Sequence, residues 1–373
     1  MKYELTNESM INAVGNKLFR IKALVDIEEY GVKAGDLGGW IEKEDNLSQS
    51  GNAWIFGEAK VYDDAEVSGD AWVSDDAEVS GDAKVYGNAG VYGNTEVYGD
   101  ACVCGDAQVY DEAWVSDDAE VSGDAKVYGA AKVYGNAEVS GAAKVFGAAK
   151  VCDAKVLGAA WVFGDVWVSG DSCVSDDAKV SGNAKVSGNA KVFGNAKVSW
   201  NTQVYGDAQV FGSAKVYGNA QVCGSAWIYG DACVCGSAKV YGRAWICGDA
   251  QVSGYAQISG NARIYGDARI SGYAWIYGDA DVYGNTQICS NAQVCGDAQL
   301  SNDADYVTIK DIGIIYRTIT FFKCKDGEIR VTAVSFYGTI DEFREQVKQT
   351  RNGKVAAEYL KIADLMEYHF KED

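Results

Sequence analysis

From about Gly51 to Ser301 the chain repeats one six-residue phrase with almost no interruption. Residues 81–98, GDAKVYGNAGVYGNTEVY, show it: Gly, then Asp or Asn, Ala, a variable residue, Val or Ile, and finally Tyr, Ser, Phe or Cys. A short fixed period constrains architecture more than any other signal, because one such unit cannot bury its own apolar face and must stack on its neighbours. The aliphatic position recurs every sixth residue from Ile55 to Val151, restarts at Val156 and runs to Leu300, which makes 42 hexapeptides, or 14 coils at three per turn. The expected fold is all-β: a parallel β-helix of about 14 triangular coils over residues 51–305. A short strand-and-turn cap precedes it (1–50), and a small α+β module of a hairpin plus helices follows it (306–373).

Side chains alternate across a strand, so an inward Val61 sends Lys60 and Tyr62 outward. The alanine two positions earlier also faces inward, where only a small group fits beside a corner. Glycine followed by Asp or Asn makes the turn, since these residues best tolerate positive φ. Proline is absent from the chain, as expected where every strand amide enters a ladder. Strands of successive coils lie about 4.8 Å apart, so residues eighteen apart in sequence sit above one another, and the whole repeat would make a rod of roughly 65–70 Å. The five-residue spacing from Val151 to Val156 lacks one residue and predicts a tightened or kinked corner.

The open ends of a solenoid need covers. Residues 17–27 read as a strand, and Gly38-Gly39-Trp40 as a turn feeding the first coil. Residues 314–336 contain a hairpin around Lys325-Asp326-Gly327, and Thr339 with Glu342 forms a capping box that opens a helix. Val355, Tyr359, Ile362, Met366 and Phe370 mark the apolar stripe of a final helix. This tail is either a solubilising cap or a trimerisation and docking module.

The phrase resembles the hexapeptide-repeat family. Val32-Lys33-Ala34-Gly35, Gly38-Gly39-Trp40-Ile41 and Leu47-Ser48-Gln49, leading into Trp54-Ile55, look like the entry signature of its YdcK-like branch. That branch occurs in bacteria and prophages and is often labelled acetyltransferase. The resemblance implies a left-handed coil and a homotrimer. Hexapeptide acyltransferases commonly place a histidine base at a subunit interface and shape the acyl-donor pocket with a loop extruded from the coils. Here the sole histidine is His369, and no insertion interrupts the phrases between Ile55 and Leu300. No Ser-His-Asp set, Cys-His set or phosphate-binding glycine loop can be assembled, so no catalytic residue, metal or cofactor is assigned.

Charge divides unevenly. Residues 57–125 carry 18 acidic side chains against Lys60 and Lys84, a balance of −16 within a chain of net charge −20. Stacking places Asp64, Asp82, Asp100 and Asp118 in one corner column, ended by Asn136, and Asp70, Asn88, Asp106 and Asp124 in another. Later coils use Asn in the same slot, so turn geometry alone does not demand the acid. Such columns serve solubility, bind cations or meet a basic protein surface; direct nucleic-acid binding would need the opposite sign.

The outward slots also hold aromatic columns: Tyr92, Tyr110, Tyr128, Phe146 and Phe163 on one face, and Phe193, Phe211, Tyr229, Tyr265 and Tyr283 on another. Trp54 with Trp72, and Trp227 with Trp245, read as stacked pairs. These surfaces pair within the ladder, are covered by further copies of the chain, or hold a ligand shared between chains. The eleven cysteines are an odd number and read as small apolar thiols in a reducing compartment. With no secretory signal and no membrane-length apolar run, the expected location is cytoplasmic, a host cytoplasm if the chain is phage-encoded. The function read from all this is a non-enzymatic binding or scaffold protein that sequesters a host factor. An acyltransferase and a virion appendage are the alternatives.

Overall fold

In a computed structural model of the chain, residues 1–312, 317–333 and 335–371 are described, the side chain of Arg317 excepted. They form two compact units, Met1–Asn195 and Ala196–Asp373. The solenoid comprises about 14 turns in all, eight coils in the first unit and six in the second.

In the first unit, short strands recur on three parallel sheets. One begins with Trp54–Ile55, the next with Lys60–Val61 and the third with Glu66–Val67. Each strand pairs in register with the strand one coil on, as in Trp54↔Trp72, Lys60↔Glu78 and Glu66↔Lys84. The inward slots are as the alternation requires: the alanines and the Val or Ile residues of the coils are buried. Where Thr95, Ser172, Thr202 and Thr286 replace alanine, each hydroxyl is buried and donates to the carbonyl three residues back, at 2.7 to 2.8 Å. A buried hydroxyl without a partner would be costly, and this local bond removes the cost.

The missing residue between Val151 and Val156 is absorbed at a single corner. At regular corners, the amide after the turn glycine donates to a backbone carbonyl one coil on, as Asn88 N does to Gly105 O at 2.8 Å. Here Asn136 N donates instead to the carboxylate of Asp153, at 2.9 Å. The side chain supplies the acceptor that the shortened backbone lacks, and the strands on either side stay in register (Lys132↔Lys150, Glu138↔Lys155).

The entry segment differs from the sequence expectation in two places. The expected strand 17–27 ends earlier, at Ala23, and pairs with an additional strand, Tyr3–Ile11. Gly38-Gly39-Trp40 is no turn: Leu37–Ile41 is a strand, antiparallel to Lys17–Ala23 and parallel to Lys60–Val61 through Trp40↔Lys60 and Ile41↔Val61. The two glycines serve close approach. A Cβ on Gly38 would lie 2.6 Å from the Ile21 side chain and 2.7 Å from the Ile55 carbonyl oxygen, and one on Gly39 would lie 2.6 Å from Ala59 O. The entry therefore extends one sheet of the solenoid as three further strands, so that the first coil presents no bare edge there.

The second unit carries six strands on each of three sheets, from Lys197–Val198 to Gln299–Leu300. Its last coil is covered by a four-stranded antiparallel sheet (Tyr306–Ile312, Arg317–Lys323, Ile329–Ala333, Phe336–Thr339) and two helices, α1 (Ile340–Thr350) and α2 (Gly353–Phe370). The hairpin turns at Lys325–Gly327 as read from the sequence; residues 314–316 and 334 of its expected span lie outside the described residues. Thr339 and Glu342 form the expected capping box. Tyr359, Met366 and Phe370 enter the module core with Phe321, Val331 and Phe343, while Val355 and Ile362 pack at its margin. The sheet is tied to the last coil by Gln293 N to Thr320 Oγ1 (3.1 Å), Thr332 Oγ1 to Gln293 O (2.6 Å) and an Ala298↔Cys324 bridge. Lys325 adds an ion pair to Asp281 at 2.9 Å.

Candidate functional site

Each corner has two residues, of which the first takes the left-handed backbone. Glycine usually fills it, but Asp63, Asp75, Asp111, Asp117 and Asp176 do so at φ between 57° and 65°. Each of these carboxylates accepts the amide of the corner residue one coil on: Gly81, Gly93, Gly129, Gly135 and Gly194, at 2.9 to 3.3 Å. A short acceptor side chain makes positive φ tolerable and staples one coil to the next. These acids are structural.

The acids singled out by sequence occupy the second corner position, where φ makes no such demand. Asp82, Asp100 and Asp118 are exposed and have no hydrogen bond or ion pair among the described residues. Asp64 is exposed and paired with Lys43. Asp45, Asp64, Glu66, Asp82 and Asp100, with Lys43 and Lys84, line an open groove of about 670 Å³ along this corner. In the second column Asp70 is half-buried and accepts Asn52 N at 3.2 Å, Asp106 accepts from Asn88 Nδ2 at 2.7 Å, and Asp124 is exposed. The first column thus leaves Asp82, Asp100 and Asp118 without a partner among the described residues, and the second leaves Asp124.

The aromatic column of the first unit is real and longer than expected. Tyr92, Tyr110, Tyr128, Phe146 and Phe163 stack with ring centres 4.8 to 5.0 Å apart and planes within 4°, and Trp72 joins the end at 4.8 Å. Burial by neighbouring rings pushes the Tyr110 hydroxyl up to about 12. Trp54 does not stack on Trp72. It is buried under the entry strands, edge-on to Tyr3 at 6.5 Å, so it offers no interface. Sequence reasoning placed it outward correctly but did not foresee the cover. In the second unit Trp227 and Trp245 stack at 5.4 Å, Phe211 and Tyr229 at 5.0 Å, and Tyr265 and Tyr283 at 5.0 Å. Phe193 is half-buried in the first unit.

One arrangement escaped the sequence reading. Trp161 lies between Lys144 and Lys179, with Nζ atoms 4.7 and 4.6 Å from the ring centre, and Trp167 lies between Lys150 and Lys185 at 5.9 Å each. Lys132 covers Trp114 at 3.7 Å. Each such contact contributes about 0.5–1 kcal/mol at an exposed site. The signal was present as Lys and Trp one coil apart in the same slot.

All eleven cysteines are free, and burial pushes the Cys102 and Cys152 thiols up to about 11, where the thiolate is scarce at neutral pH. His369 is exposed on α2, edge-on to Phe370 at 4.9 Å. Among the described residues no group of three or more His, Cys, Asp or Glu side chains could hold a metal ion. No described helix is long and apolar enough to cross a membrane.

The repeat matches the model of the YdcK β-solenoid repeat at residues 256–272 and 262–277. No curated protein matches the chain in sequence. Among solved structures, a crystal structure described as a "putative acetyltransferase" from Desulfovibrio desulfuricans G20 is similar over 82% of this chain and 77% of its own, at 9% identity and a TM-score of 0.25. A likeness at that level carries no argument about shape or chemistry.

Proposed function

We propose that this β-solenoid of the YdcK type is a non-enzymatic binding scaffold whose acidic corner takes up a partner with a basic surface. One observation carries the reading: the fold separates acids it needs from acids it does not. Asp63, Asp75, Asp111 and Asp117 staple the coils from the first corner position, whereas Asp82, Asp100 and Asp118 occupy the second, exposed and unengaged. Carboxylates about 5 Å apart repel by roughly 1 kcal/mol or more near a solvated surface, so a partner that supplies cations relieves a strain the free chain carries. Such a column suits a row of Lys or Arg side chains, and its long-range field would speed their encounter. A host protein held in this way would be kept from its own anionic target, and a phage-derived chain would use the surface as a decoy.

The test is affinity capture from the cells that make the protein. The wild-type chain is compared with the Asp64→Asn, Asp82→Asn, Asp100→Asn, Asp118→Asn variant. Loss of a specific captured protein is the expected result, and an identical capture profile would sink the proposal.

A further inference from the structure

The sheet that begins at Lys60 carries, in the slot before each inward valine, the order Glu78, Glu96, Trp114, Lys132, Lys150. In-register pairing sets Glu78 directly beside Glu96 and Lys132 directly beside Lys150. Like charges in such cross-strand positions are destabilising. The neighbouring sheet that begins at Glu66 sets Glu66 beside Lys84 and Glu138 beside Lys155, the latter as an ion pair of 2.9 Å, and it too carries one like-charge pair, Glu120 beside Glu138. Within one chain, Lys60 relieves Glu78 at 2.7 Å, Lys132 lies over Trp114 at 3.7 Å and Lys150 beside Trp167 at 5.9 Å, while Glu96 is exposed with no ion pair among the described residues.

The order reads acid, acid, tryptophan, base, base, and it is complementary to its own reverse. We propose that two copies of the chain pack this sheet face to face and antiparallel, about a two-fold axis running along the Trp114 strand. The axis brings Glu96 to Lys132 of the second copy and Glu78 to its Lys150, twice over, with Trp114 against its counterpart. Both chains space these rungs at the same interval, about 4.8 Å, so every pair comes into register together. The adjoining outward slots agree. Tyr98 and Tyr134 stand one coil either side of Ser116, so each tyrosine meets the other across the axis and the small serine sits at its centre. The contact is isologous and closes at two chains. Five rungs make a contact smaller than the roughly 1,600 Å² of a standard interface, so the dimer is weak and weakens further with salt.

Sedimentation equilibrium of the full chain from about 1 to 100 µM tests this, with two charge-reversed variants: Glu78→Lys with Glu96→Lys, and Lys132→Glu with Lys150→Glu. The expected result is a salt-sensitive dimer for the wild type, each variant at least about tenfold weaker alone, and a one-to-one dimer on mixing the two, because each then presents the charges the other lacks. The mixed sample also guards against misfolding, since a misfolded variant could not restore the complex. A wild type that stays monomeric throughout, a three-chain assembly indifferent to both variants, or a mixture that fails to pair would each overturn the proposal.

Discussion

The indole of Trp72 lies over Gly90, in the space where a side chain at that position would begin. A Cβ built on Gly90 would fall 2.6 Å from two of the indole carbons. From there the ring stacks on Tyr92 at 4.8 Å and starts the six-ring column that ends at Phe163. Gly90 is the one glycine among the residues that precede the inward aliphatic position, and its role is to make room. Gly90→Lys, which restores a common residue of that slot, should expel the indole and cost about 1–3 kcal/mol through overpacking and lost ring contact. Trp72 fluorescence should shift to the red; an unchanged spectrum with unchanged stability would refute the assignment.

The two classes of corner aspartate should separate in a thermal melt. Asp75→Ala and Asp111→Ala each remove an acceptor and leave alanine at positive φ, and each should lose about 1–2 kcal/mol. Asp82→Asn and Asp100→Asn should stay within about 0.5 kcal/mol of wild type or gain slightly. Equal losses in both sets would remove the distinction on which the proposed surface rests.

Asp153 should behave as part of the backbone. Its carboxyl is held below the ordinary carboxylate range chiefly by the Asn136 amide. A folded-state pKa below the unfolded value means that the stabilisation is complete above about pH 4 and is lost as pH falls through the folded value. Asp153→Ala should cost about 1 kcal/mol at neutral pH. Asp153→Asn should cost less and remove that portion of the acid dependence. Urea melts at pH 7 and pH 3 read both effects, and an Ala variant as stable as wild type would show that the shortened corner closes without the side chain.

The 18-residue period made the three sheets, the inward alanines and the first aromatic column legible, because one repeat fixes both register and facing. It could not tell Asp63 from Asp64, since only the backbone angle at the corner separates a staple from a free acid. Nor could it show Trp54 as buried, because the cover comes from Tyr3–Ile11 and Leu37–Ile41, whose irregular sequences carry no period. The lysine–tryptophan sandwiches were legible as Lys and Trp one coil apart in the same slot, Trp161 with Lys179 and Trp167 with Lys185, but like-with-like stacking was the pattern sought. Lys144 meets Trp161 and Lys150 meets Trp167 at a separation of 17 residues, across the same shortened corner that the Phe146 and Phe163 rings span.

Lys2 should titrate far from a free lysine. Its side chain is buried beside the first coil and donates to Ala53 O at 2.7 Å, and burial lowers its pKa to about 8 against the opposing pull of Asp70. Because the folded chain releases this proton before the unfolded chain does, the contribution of Lys2 to stability rises with pH between about 8 and 10.5. Carbon-detected NMR of its ε-methylene should give a midpoint about 8. A midpoint of about 10.4 would mean that the ammonium reaches water.

The most direct test of the binding account is calorimetric titration of a lysine-rich peptide into three proteins: wild type, the Asp64/Asp82/Asp100/Asp118→Asn variant, and an Asp165/Asp171/Asp207/Asp231→Asn control that removes the same charge elsewhere. The account predicts that the corner variant loses at least about tenfold in affinity while the control changes by less than about twofold, since local register rather than net charge holds the peptide. Equal losses in both variants would contradict it, and would leave the acid of the first coils with a role in solubility alone.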